Sequence, residues 1–109
     1  LAQMYGAAFK SIGHSLYEGM QLNKDGVCLN ADFTRYGAPM ITELPDDFKA
    51  VLIDEEDAFG PFGAKSISEI ATNGAAPALA NAIFDAVGVW MRSWPFTPEK
   101  ILRAMGKIS

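Results

Sequence analysis

The chain has one cysteine, Cys28, and one histidine, His14. A lone cysteine cannot close an internal disulfide and suits a reducing compartment. One cysteine and one histidine do not make the ligand set of a protein-held zinc or iron–sulfur site. No apolar run approaches the length needed to span a bilayer. No basic, apolar and cleavage-site pattern opens the chain. These absences predict a cytoplasmic protein with no membrane association. Charge is also scarce, at 20% of residues, and its balance is −4. A general nucleic-acid binder would be basic, so nucleic acid is not an expected partner. Neither an internal repeat nor a low-complexity segment is visible.

What is present is apolar: half of the 109 residues are hydrophobic. That composition belongs to a folded chain with enough length for one domain and a modest core. The first residue is Leu, and a helical pattern begins at once. We therefore read residues 1–109 as a single-domain piece of a longer chain.

Periodicity predicts a helix from Ala2 to Met20, with Tyr5, Phe9, Ile12, Leu16 and Met20 on one stripe. Gly6, Ala7, Ala8 and Gly13 give it a small-residue surface that another element can approach closely. Lys10, His14 and Glu18 are spaced by four and read as a solvated polar stripe. Asn23-Lys24-Asp25-Gly26 is a turn signal, and Val27-Cys28-Leu29 a short strand candidate. Cys28 has no visible base nearby and reads as a packing residue. Pro39 and Pro45 mark an extended connection, with Phe33 and Tyr36 expected to anchor it on the core. Phe48 to Asp54 alternates in apolar character and is the best strand candidate. Glu55, Glu56 and Asp57 form an acidic turn that reads as a solvated loop. Pro77 fits the first turn of a second long helix, along which Ala78, Ala82 and Ala86 form a flat seam and Gly88 a stop. Val89 to Arg92 reads as a short strand. Thr97-Pro98-Glu99 starts a last helix, with Ile101, Leu102, Met105 and Ile108 on its inner face. The fold class expected is α+β: two long helices and a C-terminal helix packed with a few short strands.

The stretch that carries chemistry is Gly60-Pro61-Phe62-Gly63-Ala64-Lys65-Ser66-Ile67-Ser68-Glu69. It opens as a turn, because Gly60 and Gly63 permit backbone angles that other residues resist and Pro61 fixes one. It closes on Glu69, flanked by Ile67, Ile70 and Ala71. A carboxylate among apolar neighbours can serve as a proton acceptor or donor. The same residues also fit a glycine-rich loop whose Glu69 favours the positive start of a helix.

Gly-Pro-Phe-Gly-Ala-Lys followed by Glu resembles the loop near the C-terminus of the molybdenum hydroxylases, the xanthine dehydrogenase and aldehyde oxidoreductase family. Further matches run in order. Ala76-Pro77-Ala78-Leu79-Ala80-Asn81-Ala82-Ile83 resembles the family's alanine-rich helix. Asp32-Phe33 with Tyr36 and Pro39 resembles its Asn-Phe-x-x-Tyr-x-x-Pro segment. Pro95-Phe96-Thr97-Pro98-Glu99-Lys100-Ile101 resembles its closing Pro-x-Thr-Pro-Glu-Lys-Ile. Ser-Ile-Ser-Glu-Ile-Ala looks most like bacterial xanthine dehydrogenase-type subunits. Ala2-Gln3-Met4-Tyr5-Gly6 stands where the family has Gly-Gln-x-x-Gly.

The resemblance implies the C-terminal part of a molybdopterin-binding subunit. The activity it implies is hydroxylation of a purine, another N-heterocycle or an aldehyde, with water as the oxygen source. Glu69 would be the catalytic base, and Gln3 would contact the pterin. Lys65 is retained. Ser66 and Ser68 replace two family glycines and would hydrogen-bond the cofactor in their own way. No residue is assigned as a metal ligand. The implied cofactor is molybdenum–molybdopterin in its cytosine dinucleotide form, with 2Fe–2S clusters and FAD on partner domains or subunits. The other implied partners are the remainder of the molybdenum subunit and a small-molecule substrate. A noncatalytic packing or assembly domain that keeps the family fold is the alternative reading.

Overall fold

The computed structural model describes residues 1–109, except for the side chain of Ser68, which lies outside the described residues. Among the described residues five α-helices follow in order: α1 Ala2–Leu16, α2 Phe33–Tyr36, α3 Ser68–Asn73, α4 Ala75–Val87 and α5 Pro98–Ala104. Short 3₁₀ turns lie at Ile41–Glu43 and Pro61–Gly63. The packed unit is α1 against α3 and α4, with α3 and α4 also touching each other.

Helix α1 ends at Leu16, one turn earlier than its apolar stripe predicts. Gly13 explains what the end does. A Cβ there would lie 2.3 Å from the Cδ of Pro39, so only glycine lets the Pro39 segment close against the helix. Beyond the helix the chain turns Glu18 inward. It is buried, not solvated as the spacing with Lys10 and His14 predicts. Ser15 and Ser11 are also buried. The Ser15 hydroxyl donates to the Ser11 carbonyl at 2.7 Å, satisfying its own polar atom within the helix.

The start of α2 is a cap. The Asp32 carboxylate accepts from the backbone N–H groups of Thr34 and Arg35, each at 3.1 Å. It also pairs with the Arg35 guanidinium at 2.6 Å. Arg35 is thus the first cause of an Asp32 carboxyl held below its usual range, and burial opposes it. The extended connection expected here is therefore interrupted by one helical turn. Tyr36 is half-buried as an anchor, whereas Phe33 is 92% exposed and is not one.

Both ends of the later helices follow their residues. Gly88 takes a left-handed φ of 73° and closes α4 with its N–H on the Phe84 carbonyl at 2.7 Å. The Thr97 hydroxyl accepts from the Lys100 N–H, and Pro98 occupies the first turn of α5. The face expected to bury α5 is only partly covered: Ile101 and Met105 are half-buried, while Leu102 and Ile108 are each 40% exposed.

The expected strands do not form among the described residues. Val27–Leu29 supplies one antiparallel bridge, between Leu22 and Cys28. Phe48 to Asp54 has no ladder, and neither has Val89 to Arg92. A strand requires a partner edge, and Phe48–Asp54 meets a helix instead. The Ala50 N–H donates to the Tyr5 hydroxyl at 3.3 Å, and the Phe48 ring lies 5.6 Å from that of Tyr5. Val51 and Ile53 remain 80% and 87% exposed.

Candidate functional site

The loop before Glu69 is shaped by its glycines. Gly60 is extended, and a Cβ on it would lie 2.1 Å from the Ala64 carbonyl oxygen. Gly63 has φ of 76°, and among the described residues Phe62 is the one non-glycine with positive φ, at 54°. The acidic turn braces this loop. The Asp57 carboxylate accepts from the N–H of Phe59 at 2.8 Å and of Gly60 at 3.2 Å. The Asp57 N–H donates to the Gly63 carbonyl at 3.1 Å. This is the work of an acidic loop cap, as the solvated-loop reading expects. No group of three histidine, cysteine or acidic residues able to hold a metal occurs among the described residues.

The chain then enters α3, whose first turn presents Glu69. A cleft of about 310 Å³ lies between α1 and α3, lined by Gln3, Gly6, Ala7 and Lys10 from one and Glu69 and Thr72 from the other. Two sequence-predicted site residues far apart in the sequence, Gln3 and Glu69, therefore share one cavity. The wall is fixed close to the site: the Ser11 hydroxyl donates to the Thr72 carbonyl at 2.6 Å. Over Gly6 the floor is open, since a Cβ there would meet nothing within 4 Å. Glu69 itself is exposed on this cleft rather than enclosed by the isoleucines beside it. Helical geometry separates the neighbours: Ile70 is turned about 100° from Glu69.

Lys65 and Ser66 are placed elsewhere. They line an adjacent cleft with Met4, Ile67, Ile70 and the extended residues 51–53. Both precede α3, so the helical turn that aims Glu69 at Gln3 does not carry them along. Ser68 falls outside the described side chains, so nothing is assigned to its hydroxyl. Lys10 and Thr72 are the cleft residues that the sequence reading missed as site residues. The signal for Lys10 was available: seven residues from Gln3 is two helical turns, on the same face.

The fold has known counterparts. Quinoline 2-oxidoreductase from Pseudomonas putida 86 superposes with a TM-score of 0.83 and 23% identity, over 99% of this chain and 14% of that one. The family described as a molybdopterin cofactor-binding domain matches residues 1–45. Among curated proteins, probable hypoxanthine oxidase XdhD of Escherichia coli K12 is 56% identical over 108 residues. The chain belongs to the molybdenum hydroxylase family. A more distant relative is the gamma subunit of the 6-hydroxypseudooxynicotine dehydrogenase complex of Paenarthrobacter nicotinovorans, 39% identical over 101 residues. The matches take in 99% and 91% of this chain but only 11% and 13% of those two relatives. The chain thus spans about a tenth of the length of the curated relatives it matches.

The residues present fit a molybdenum–pterin group. The Gln3 amide and the Glu69 carboxylate converge on one cleft, and the missing side chain at Gly6 leaves the helix backbone accessible between them. An amide offers both donor and acceptor to a pterin edge. The cleft offers one wall for such a group. Among the described residues, no helix is long and apolar enough to cross a membrane.

Proposed function

We propose that the chain is the C-terminal part of a molybdopterin-binding subunit and supplies the general base of a cytoplasmic hydroxylase. The observation that carries this reading is the shared cleft of Gln3 and Glu69. When bound, the molybdenum–pterin group, in its cytosine dinucleotide form, supplies a two-electron oxidation. The overall change converts substrate C–H and water into C–OH, two protons and two electrons. Glu69 takes one proton on its carboxylate oxygen. A base in this role must be ionised and within hydrogen-bond reach of the proton it accepts. Gln3 binds and orients the pterin through its amide. The remainder of the subunit closes over the cleft and excludes bulk water. The 2Fe–2S clusters and FAD of partner domains or subunits take the electrons away.

Substrates of this proposed activity are purines, other N-heterocycles and aldehydes. The 56% identity to a probable hypoxanthine oxidase favours an oxopurine. The deciding experiment uses the full-length subunit in its complex. Glu69→Gln preserves size but cannot accept the proton. Base catalysis is worth roughly 10²–10⁴-fold, so reduction of the metal centre by hypoxanthine is expected to slow by that factor with cofactor content unchanged. A wild-type rate at full cofactor occupancy would return the segment to a noncatalytic packing role.

A further inference from the structure

We propose that Lys10 is a positioning residue of the Glu69 site, a cation across the cleft that keeps the carboxylate ionised and ready to take a proton. The inference rests on the reading of Glu69 as a base. Its own observation is the composition of the cleft. Lys10 lies two turns along α1 from Gln3, with Gly6 and Ala7 between them, and faces Glu69 and Thr72 on α3. Lys10 and Glu69 are the two charged residues among those lining the cavity, one of each sign.

The cleft is held together at Lys10's end. Its neighbour Ser11 donates to the Thr72 carbonyl at 2.6 Å, which ties α1 to α3 one residue from Lys10. Lys10 and Glu69 nevertheless make no direct ion pair among the described residues, where the pairs are Arg35–Asp32 and Lys49–Asp47. That separation suits the role. A contact ion pair would occupy the oxygen that must accept the proton. A cation across the cavity stabilises the charged form and leaves the oxygen open.

The other charged groups on the packed elements lie away from this cavity. On α1, His14 is a turn further on and faces Trp94, with ring centres 6.0 Å apart. On α4, the ionisable residue is Asp85, near the far end of the helix from α3. Before α3, Lys65 lines the adjacent cleft with residues 51–53. Both cleft residues are exposed here, so water screens their interaction. Burying the cleft beneath the cofactor and the rest of the subunit lowers the local dielectric and strengthens the coupling.

The test uses the full-length subunit in its complex, with molybdenum content measured on every variant. In K10Q, the acid limb of kcat/KM is expected to move to higher pH by up to about one unit, the low end of the effect of a neighbouring opposite charge. K10R is expected to restore it. A second readout needs no turnover. The infrared carboxylate band that E69Q removes, recorded on the cofactor-loaded complex without substrate, is expected to titrate at higher pH in K10Q. An unmoved acid limb and an unmoved band in a fully loaded K10Q would overturn the role of Lys10. Loss of molybdenum from K10Q would also overturn it, making Lys10 a cofactor contact. If instead E69Q turns over at the wild-type rate, the reading of Glu69 itself fails, whatever K10Q does.

Discussion

A Cβ on Gly60 would sit 2.1 Å from the Ala64 carbonyl oxygen, an atom of backbone that cannot rotate away. Gly60→Ala is therefore expected to displace the loop that leads into Glu69. Overpacking of this kind costs about 1–3 kcal/mol, and thermal unfolding of the full-length subunit would measure it. An unchanged melting temperature would show that the loop absorbs the methyl group. Gln3 makes a different sort of claim, because it concerns a partner the chain itself does not contain. Gln3→Ala leaves a pterin polar group without its amide, at a cost of about 1–3 kcal/mol where that group is buried. Molybdenum and pterin content after gel filtration is expected to fall, and full retention would remove Gln3 from the site. Both residues were legible in the sequence through short motifs whose spacing survives in this chain. Lys65 and Ser66 were read from the same loop, yet they face another cleft. Adjacency along a loop does not determine the direction of a side chain; the helical turn that begins at Ser68 does.

Between elements, the link that sequence spacing misplaced is Glu18. A period of four put it with Lys10 and His14 in water, but α1 ends before it, Glu18 is buried, and its side chain is hydrogen-bonded with Tyr36. The Glu18 charge is the first cause of a Tyr36 phenol raised above its ordinary value of 10.0, followed by burial and by the hydrogen bond to Glu18. Tyr17 is also raised above 10.0, by burial first and then by Glu43. A phenol raised on folding binds its proton more tightly in the folded than in the unfolded state. Its contribution is fully present below 10.0 and is lost as pH rises through the raised value. Stability of the full-length subunit is thus expected to decline above pH 10.0, and Glu18→Gln is expected to reduce the Tyr36 share of that decline. Chemical denaturation from pH 8 to 11, as a range of about three units, would measure it; an identical slope in both proteins would exclude the Tyr36–Glu18 link. The helices were more legible than this contact. Gly88 and Thr97 act locally, through a left-handed turn and a hydroxyl cap, so their sequence neighbourhood suffices. The strands were not legible because alternation at Phe48–Asp54 describes a surface suited to pairing and says nothing of where its partner edge lies.

For the molecule as a whole, one number sets the problem: Phe96, at 5% exposure, is the apolar side chain that is buried among the described residues. Its N–H also donates to the Ser15 carbonyl at 2.7 Å, so the one enclosed apolar residue is tied to the end of α1. The Cα radius of gyration is 17.2 Å, against about 13 Å for a compact domain of this length. Large apolar side chains stay open along the extended and loop segments: Ile41 at 77%, Ile53 at 87% and Phe59 at 99%. Burial of apolar surface is the main favourable contribution to folding, at roughly 25 cal/mol per Å². A chain that buries so little must gain it against other surfaces, which agrees with relatives about nine times its length. The 109 residues prepared alone are therefore expected to unfold over a broad range, to bind a hydrophobic dye such as anilinonaphthalene sulfonate, and to retain neither molybdenum nor pterin. The contrast is with the same residues inside the full-length subunit, where the exposed isoleucines and phenylalanines are expected to be covered. A sharp, probe-independent unfolding transition with no dye binding would show that α1, α3 and α4 suffice as a core. Stoichiometric molybdenum in the isolated chain would show that the Gln3–Glu69 cleft is a complete site rather than one wall of it.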